Sequence, residues 1–195
     1  MIERIALAYL WGDEPIDSPR FNYLFESEQI DDLRDVRRLF YKVRDQGLNP
    51  EQIERILLFW EQCVKWAETL SEPPKSLLSD LSRLICYITE FTGRENNLLL
   101  AVAHHIKVGY NAGTFIKGLD RLLEKNPEKI SMVLGKVLEA HVPAYDHEDM
   151  LKNLIIKLAG SGRIEDALTY ADRARKLPGF VQLNKQLSES NNNTC

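Results

Sequence analysis

Apolar residues recur three and four positions apart along nearly the whole chain, and the alternation typical of strands is absent. The longest such segment runs from Asn49 to Leu70. Its apolar residues form two stripes around one helical cylinder, so this helix requires neighbours on both sides. One stripe contains Ile53, Leu57, Trp60, Val64 and Ala67, and the other contains Phe59, Cys63, Trp66 and Leu70. The pattern predicts a central helix in a stack, with its tryptophans in the core.

Capping residues followed by proline predict where three helices begin, because Ser or Asn caps a helix and Pro suits its first turn. These pairs are Ser18-Pro19, Asn49-Pro50 and Asn126-Pro127, while glycines and Pro73-Pro74 mark breaks. The predicted helices cover residues 2–11, 19–27, 30–46, 50–71, 76–92, 95–108, 112–125, 127–141, 147–160, 163–176 and 179–188.

Short connections between these helices favour antiparallel hairpins, which begin near residues 30, 75, 112 and 146. Their spacings of about 45, 37 and 34 residues match two-helix repeats better than a four-helix bundle. The predicted fold class is therefore all-α, an irregular right-handed α-solenoid of about 10–11 helices in antiparallel hairpins. One helical-repeat domain is expected over residues 1–188, and a disordered tail over 189–195, which has nothing to bury.

Residues 151–179 carry the most specific local pattern. Gly162 lies at the turn between two predicted helices, and Ile155 lies within the first. The large residues of the first helix are Leu151, Leu154 and Leu158. The second helix starts at Glu165 to Leu168, has its small positions at Ala171 and Ala174, and ends at Pro178. The segment resembles a tetratricopeptide-type hairpin, a family related in architecture to HEAT-like helical repeats. Ile155 departs from that family, which has Gly or Ala there.

Three further segments extend the resemblance over the chain: Leu7 to Pro15, Phe59-Trp60-Glu61 and Gly162 to Ala167. With them, the layout is similar to the C-terminal helical-repeat tails of large bacterial proteins that carry an ATPase or defence-effector domain. This resemblance implies that a partner, or another domain, carries the chemistry.

Charge and cysteine content restrict the partners and the compartment. Residues 1–97 hold 12 basic and 18 acidic side chains (net -6), and residues 98–195 hold 13 and 11 (net +2). The absence of a basic stripe argues against nucleic acid as a partner, and no run approaches the ~20 apolar residues of a membrane span. Three cysteines without a CxxC pair indicate a reducing compartment. The apolar N-terminus lacks a cleavage site, so we expect a cytoplasmic protein.

The candidates for chemistry each have a plainer explanation. His104 and His105 are adjacent on a helix and diverge by ~100°, so they cannot chelate one metal together. His141 and His147 could bind zinc with nearby carboxylates, but helix capping already explains the acidic residues. Gly160-Ser161-Gly162 fits a hairpin turn better than a phosphate cradle. We therefore expect no metal, no cofactor and no enzymatic activity.

The densest basic cluster lies in the helix predicted over 30–46, where basic and acidic residues interleave. A solvated face with i, i+4 ion pairs is the plainer interpretation. If the cluster is functional, Arg34, Arg38 and Tyr41 lie on one side and could bind an acidic peptide or a phosphate.

Stacked hairpins without a chemical site favour a non-enzymatic scaffold or adaptor that binds another protein or domain. One alternative is a sensor or regulatory subunit, or a tail, of a bacterial defence-type ATPase or nuclease system. A further alternative is a helical-repeat RNA binder. The acidic N-terminal half argues against that last class.

Overall fold

A computed structural model of the chain describes residues 2–15, 17–20, 30–72, 77, 80–88, 93–106, 112–140 and 147–192. All regular elements in these ranges are helical, with no strand among them, which confirms the all-α class. The α-helices are α1 (Ile2–Trp11), α2 (Ile30–Val43), α3 (Pro50–Thr69), α4 (Gly93–His105), α5 (Ala112–Leu123), α6 (Pro127–Ala140), α7 (Glu148–Gly160), α8 (Ile164–Arg173) and α9 (Pro178–Asn192). Arg44–Gln46 and Ser82–Cys86 form short 3₁₀ helices.

Two of the proline-based helix starts are confirmed. The Asn49 side chain accepts a hydrogen bond from the Gln52 backbone N–H, and the Gln52 side chain accepts one from the Asn49 N–H, each at 2.9 Å. This reciprocal capping box satisfies two amides that would otherwise lack partners at the start of α3. α6 likewise begins at Pro127. The helix predicted over 19–27 lies outside the described residues beyond Arg20.

The α-helix predicted over 76–92 was wrong at residues 82–86, which wind as a 3₁₀ helix. Three residues per turn align side chains at i and i+3. Two such rows are buried, whereas Arg83 and Cys86 form a third, half-buried row. The buried rows are Leu81, Leu84 and Tyr87, and Ser82, Ile85 and Ile88. The tighter winding therefore buries two of three faces. Residues 89–92 lie outside the described residues.

The chain divides into two compact units, residues 1–87 and 88–195. In the first unit, α1 packs on both α2 and α3. The rings of Phe40 and Phe59 meet edge to face, with centroids 5.1 Å apart, and connect α2 to α3. Trp60 is fully buried, as predicted for a core position, whereas Trp66 is only half-buried.

Arg55 of α3 connects this helix to α1 and to the turn after α1, which contains Glu14. Its Nη1 donates to the carbonyl oxygens of Tyr9 at 3.1 Å and Glu14 at 2.8 Å. Its Nε and Nη2 donate to Glu51 Oε1, at 3.3 and 3.1 Å. The Tyr9 hydroxyl in turn donates to the Arg55 carbonyl oxygen at 3.2 Å. Every guanidinium nitrogen of this buried arginine therefore has an acceptor, and α1 is a neighbour of α3 that the apolar stripes did not identify.

In the second unit, helices contact both their neighbours and their next-but-one neighbours in the chain. The neighbouring pairs are α5 with α6, α7 with α8, and α8 with α9. The next-but-one pairs are α4 with α6, α5 with α7, α6 with α8, and α7 with α9. The solenoid and the single domain over 1–188 stay predictions.

The hairpin that resembles a tetratricopeptide repeat consists of α7 and α8. Its turn contains Gly162 at φ 87°, a left-handed conformation that favours glycine. The large and small packing positions are all fully buried: Leu151, Leu154, Leu158, Ala171 and Ala174. Pro178 starts α9 rather than ending α8. Because α9 continues to Asn192, residues 189–192 are helical and not part of a disordered tail; residues 193–195 lie outside the described residues.

A buried polar contact joins α6 to α8. The Tyr170 hydroxyl donates to the Ser131 carbonyl oxygen at 2.8 Å, and the Ser131 hydroxyl donates to Asp166 Oδ2 at 2.6 Å. Burial raises the pKa of Tyr170, so its hydroxyl remains a donor over the ordinary pH range. Gly135 allows this approach, since a Cβ at that position would lie 2.7 Å from the Tyr170 hydroxyl.

None of the helices in the described ranges has the length and apolar content required to span a membrane.

Candidate functional site

The three residues predicted to bind a partner all belong to α2. Arg38 is exposed, and Arg34 has 36% of its side chain exposed, with its Nε 3.7 Å from Asp35 Oδ1. Tyr41 is half-buried. Two guanidinium groups one helical turn apart are thus accessible on one helix. Their role in binding stays a prediction.

Tyr41 contacts a further arginine that the sequence did not associate with it. The guanidinium of Arg83 lies over the Tyr41 ring, 4.8 Å from its centroid, in a cation–π arrangement. Arg83 comes from the 3₁₀ helix at Ser82–Cys86, and 30% of its side chain is exposed. The α2 residues therefore adjoin a second positive group.

Arg37, on the same helix, is buried where the sequence indicated a solvated face. Only 1% of its side chain is exposed, and its Nε donates to Asp80 Oδ2 at 2.9 Å. The other oxygen of Asp80 lies 3.3 Å from Arg83 Nη1. One carboxylate thus bridges two guanidinium groups, which leaves one positive charge in excess among these three side chains.

The remaining nitrogens of Arg37 lack acceptors. Nη1 and Nη2 are both buried and, among the described residues, neither has a hydrogen-bond partner. The indole Nε1 of Trp60 on α3 is in the same state. Buried polar groups are nearly always hydrogen-bonded, so unsatisfied donors on a charged side chain call for an explanation.

Cys63 of α3 lies beside the Arg37 guanidinium. Burial raises the pKa of its thiol to about 12, although the positive charge of Arg37 and a hydrogen bond with the Arg37 side chain both act to lower it. The thiol is therefore neutral at ordinary pH and does not balance the arginine. Cys63 is fully buried. We call Arg37, Asp80, Arg83 and Cys63 the Arg37 cluster.

A sequence signal for the burial of Arg37 does exist. Arg37 lies beside Val36 and one turn before Phe40, both of which are buried. Position 37 therefore lies at the edge of the apolar stripe of α2. The density of charge around it concealed this, because Arg34 and Arg38 do reach solvent.

The histidines and the Gly160–Gly162 segment considered in the sequence analysis do not form a metal or phosphate site among the described residues. The rings of His104 and His105 diverge, at an interplanar angle of 77°, with His104 exposed and His105 half-buried. Within the part of the chain that the structure describes, no group of three His, Cys, Asp or Glu residues could hold a metal ion. His141 lies outside that part. Gly160 and Gly162 lie at the turn between α7 and α8, as the hairpin interpretation predicts.

No family model, no curated protein and no solved structure matches this chain. The tetratricopeptide resemblance therefore rests on the residues of α7 and α8 alone, and the likeness to defence-type ATPase tails stays a prediction.

Proposed function

We propose that this protein is a non-enzymatic adaptor of the helical-repeat class, which binds another protein or domain. The observation that supports it best is the packing in the second unit, where helices contact their neighbours and their next-but-one neighbours. Stacked hairpins have this contact pattern, because each hairpin covers the apolar face of the one before it. Such stacks offer extended surfaces, which most helical-repeat proteins use for binding.

The proposed contact surface is the exposed side of α2 with Arg34, Arg38 and Tyr41. Arginine forks bind carboxylates in two parallel hydrogen bonds, and the tyrosine adds a rigid apolar area beside them. The position of Arg83 over the Tyr41 ring keeps a further cation close by. The proposed partner therefore presents an acidic segment.

Comparative capture from lysate tests this function. The baits are the wild-type chain, the double variant Arg34→Glu/Arg38→Glu, and the control Arg175→Glu/Lys185→Glu. The control reverses the same number of charges at exposed positions of the second unit. We expect at least one protein to be retained by the wild type and the control and lost from the α2 variant.

One treatment and the identity of the retained protein separate the alternatives. Retention that disappears after ribonuclease treatment would indicate RNA binding instead. A retained ATPase or nuclease would assign the chain to the regulatory class. Hydrolase activity in the purified chain, with no protein whose retention depends on Arg34 and Arg38, would contradict the proposal.

A further inference from the structure

We propose that the Arg37 cluster is a binding site for one small oxyanion, a carboxylate or phosphate group held by the two free nitrogens of Arg37. This proposal does not depend on the proposed function, because it concerns a buried group and not the exposed side of α2.

A second buried arginine in the same unit provides the comparison. Arg55 donates from all three of its nitrogens to acceptors of the chain, two of them backbone carbonyls. Arg37 is buried more deeply, and among the described residues its one oxygen acceptor is Asp80, which accepts from Nε. Its side chain also forms a hydrogen bond with the Cys63 thiol, a weak acceptor. The chain thus provides an acceptor for every guanidinium nitrogen of Arg55 but leaves Nη1 and Nη2 of Arg37 without an oxygen acceptor among the described residues.

The balance of charges in the Arg37 cluster also favours a negatively charged ligand. Asp80 is shared between Arg37 and Arg83, and Cys63 is a neutral thiol. Asp80 neutralises only one of the two guanidinium groups, and the excess positive charge lies at the edge of the buried region, since 30% of the Arg83 side chain is exposed. A monoanion beside Arg37 would restore neutrality to the cluster.

The unsatisfied atoms of the cluster are all donors. They are Nη1 and Nη2 of Arg37. A ligand that only accepts hydrogen bonds, and does so through several oxygens, matches this set.

The chemistry of the fork restricts the ligand further. The planar guanidinium pairs two parallel N–H groups with two oxygens of one carboxylate or phosphate. Chloride offers no such pair of acceptors. A buried water could accept from these nitrogens but would leave the charge unbalanced. Arg83, which is 30% exposed, marks the solvent side of the cluster.

Equilibrium dialysis of the full-length wild-type chain against radiolabelled inorganic phosphate, at constant ionic strength, tests the proposal directly. We expect saturable binding of one phosphate per chain, unaffected by added chloride. In a second arm, acetate or phosphate competes with the label. Displacement by acetate assigns a carboxylate as a ligand, whereas displacement by unlabelled phosphate alone assigns the phosphate group.

Variants locate the site. Arg37→Lys keeps the charge and loses the fork, so we expect at least a tenfold weaker affinity for phosphate. The matched control Arg55→Lys loses a satisfied fork and should bind phosphate as the wild type does. If Arg37→Lys fails to fold, thermal unfolding of the wild type decides. Phosphate should raise its melting temperature, with saturation, above that in sodium chloride of equal ionic strength.

Three results would overturn the proposal. One is the absence of binding by dialysis and of any phosphate-specific rise in melting temperature, which would indicate a water-filled cluster. Another is binding that Arg37→Lys leaves unchanged. The third is equal loss of binding in Arg55→Lys, which would place the anion elsewhere.

Discussion

The close approach of α6 and α8 is the feature of the second unit that mutation can test most sharply. Gly135 lies under Tyr170, whose hydroxyl donates to the Ser131 carbonyl oxygen. We consider Gly135→Ala, Tyr170→Phe and the double variant. A Cβ at position 135 would lie 2.7 Å from the Tyr170 hydroxyl and 3.2 Å from two ring carbons. Removing the hydroxyl therefore removes the closest of these contacts.

The expected magnitudes follow from these contacts. Tyr170→Phe loses a buried hydrogen bond, worth about 1 kcal/mol. Gly135→Ala overpacks the interface, at ~1–3 kcal/mol, and the better helix propensity of alanine offsets up to ~1 kcal/mol of that. In the double variant the added methyl meets only the ring. We expect it to be more stable, by about 1 kcal/mol, than the sum of the single changes predicts.

Urea unfolding of the four proteins, followed by circular dichroism, measures this coupling, with equal m-values as the check that the compared states are alike. Asp120→Asn, at an exposed ion pair with Lys157, is a control expected to change the free energy of unfolding by less than ~1 kcal/mol. Additivity of the two changes within about 0.3 kcal/mol would refute the packing of α8 on Gly135.

Three further predictions concern other buried contacts. Arg55→Lys should lower the free energy of unfolding by ~1–3 kcal/mol in urea, since carbonyl acceptors lose their donor, whereas exposed Arg38→Lys should change it by less than ~0.5 kcal/mol. Burial raises the pKa of Cys63 from 9.0 to about 12, so the contribution of the protonated thiol to the free energy of unfolding should be fully present below pH 9.0. Between these two pH values the free energy of unfolding should fall by at most about 1.4 kcal/mol per pH unit. Cys63→Ala should show a shallower decline in alkaline denaturation. Gly179→Ala should lower the melting temperature, because its Cβ would meet the Glu148 carboxylate, which accepts from the Gly179 N–H; an unchanged value would contradict that contact.

Features set by neighbouring residues were predictable from the sequence. The start of α3 follows from Asn49-Pro50, and the turn between α7 and α8 follows from Gly162, because capping and φ preferences are local. The burial of Trp60 followed from the two apolar stripes of the central helix. These elements require no knowledge of the rest of the chain.

Features set by distant contacts were not predictable. The 3₁₀ winding at Ser82–Cys86 has apolar spacing compatible with an α-helix, so the sequence could not distinguish the two. The packing of α1 on α3 depends on Arg55 reaching the carbonyl oxygens of Tyr9 and Glu14, more than 40 residues away. Such pairings depend on tertiary structure, which spacing along one helix does not encode.

The candidate site likewise has one part that the sequence predicted and one part that it did not. Helical spacing placed Arg34, Arg38 and Tyr41 together on α2, and the structure leaves the two arginines accessible. Helical spacing places Arg37 at the edge of the apolar stripe but could not indicate its pairing with Asp80, because that carboxylate is 43 residues further on. That Nη1 and Nη2 of Arg37 lack partners among the described residues likewise depends on tertiary packing, which spacing along α2 does not encode.

Cross-linking mass spectrometry of the captured complex tests the central claim, that the chain binds a protein partner through α2. Lys42 is exposed next to Tyr41, and Lys185 is exposed on α9 in the second unit. With an amine-reactive cross-linker, we expect links to the partner at Lys42, and their loss in Arg34→Glu/Arg38→Glu. Links to the partner at Lys185 with none at Lys42 would contradict the account.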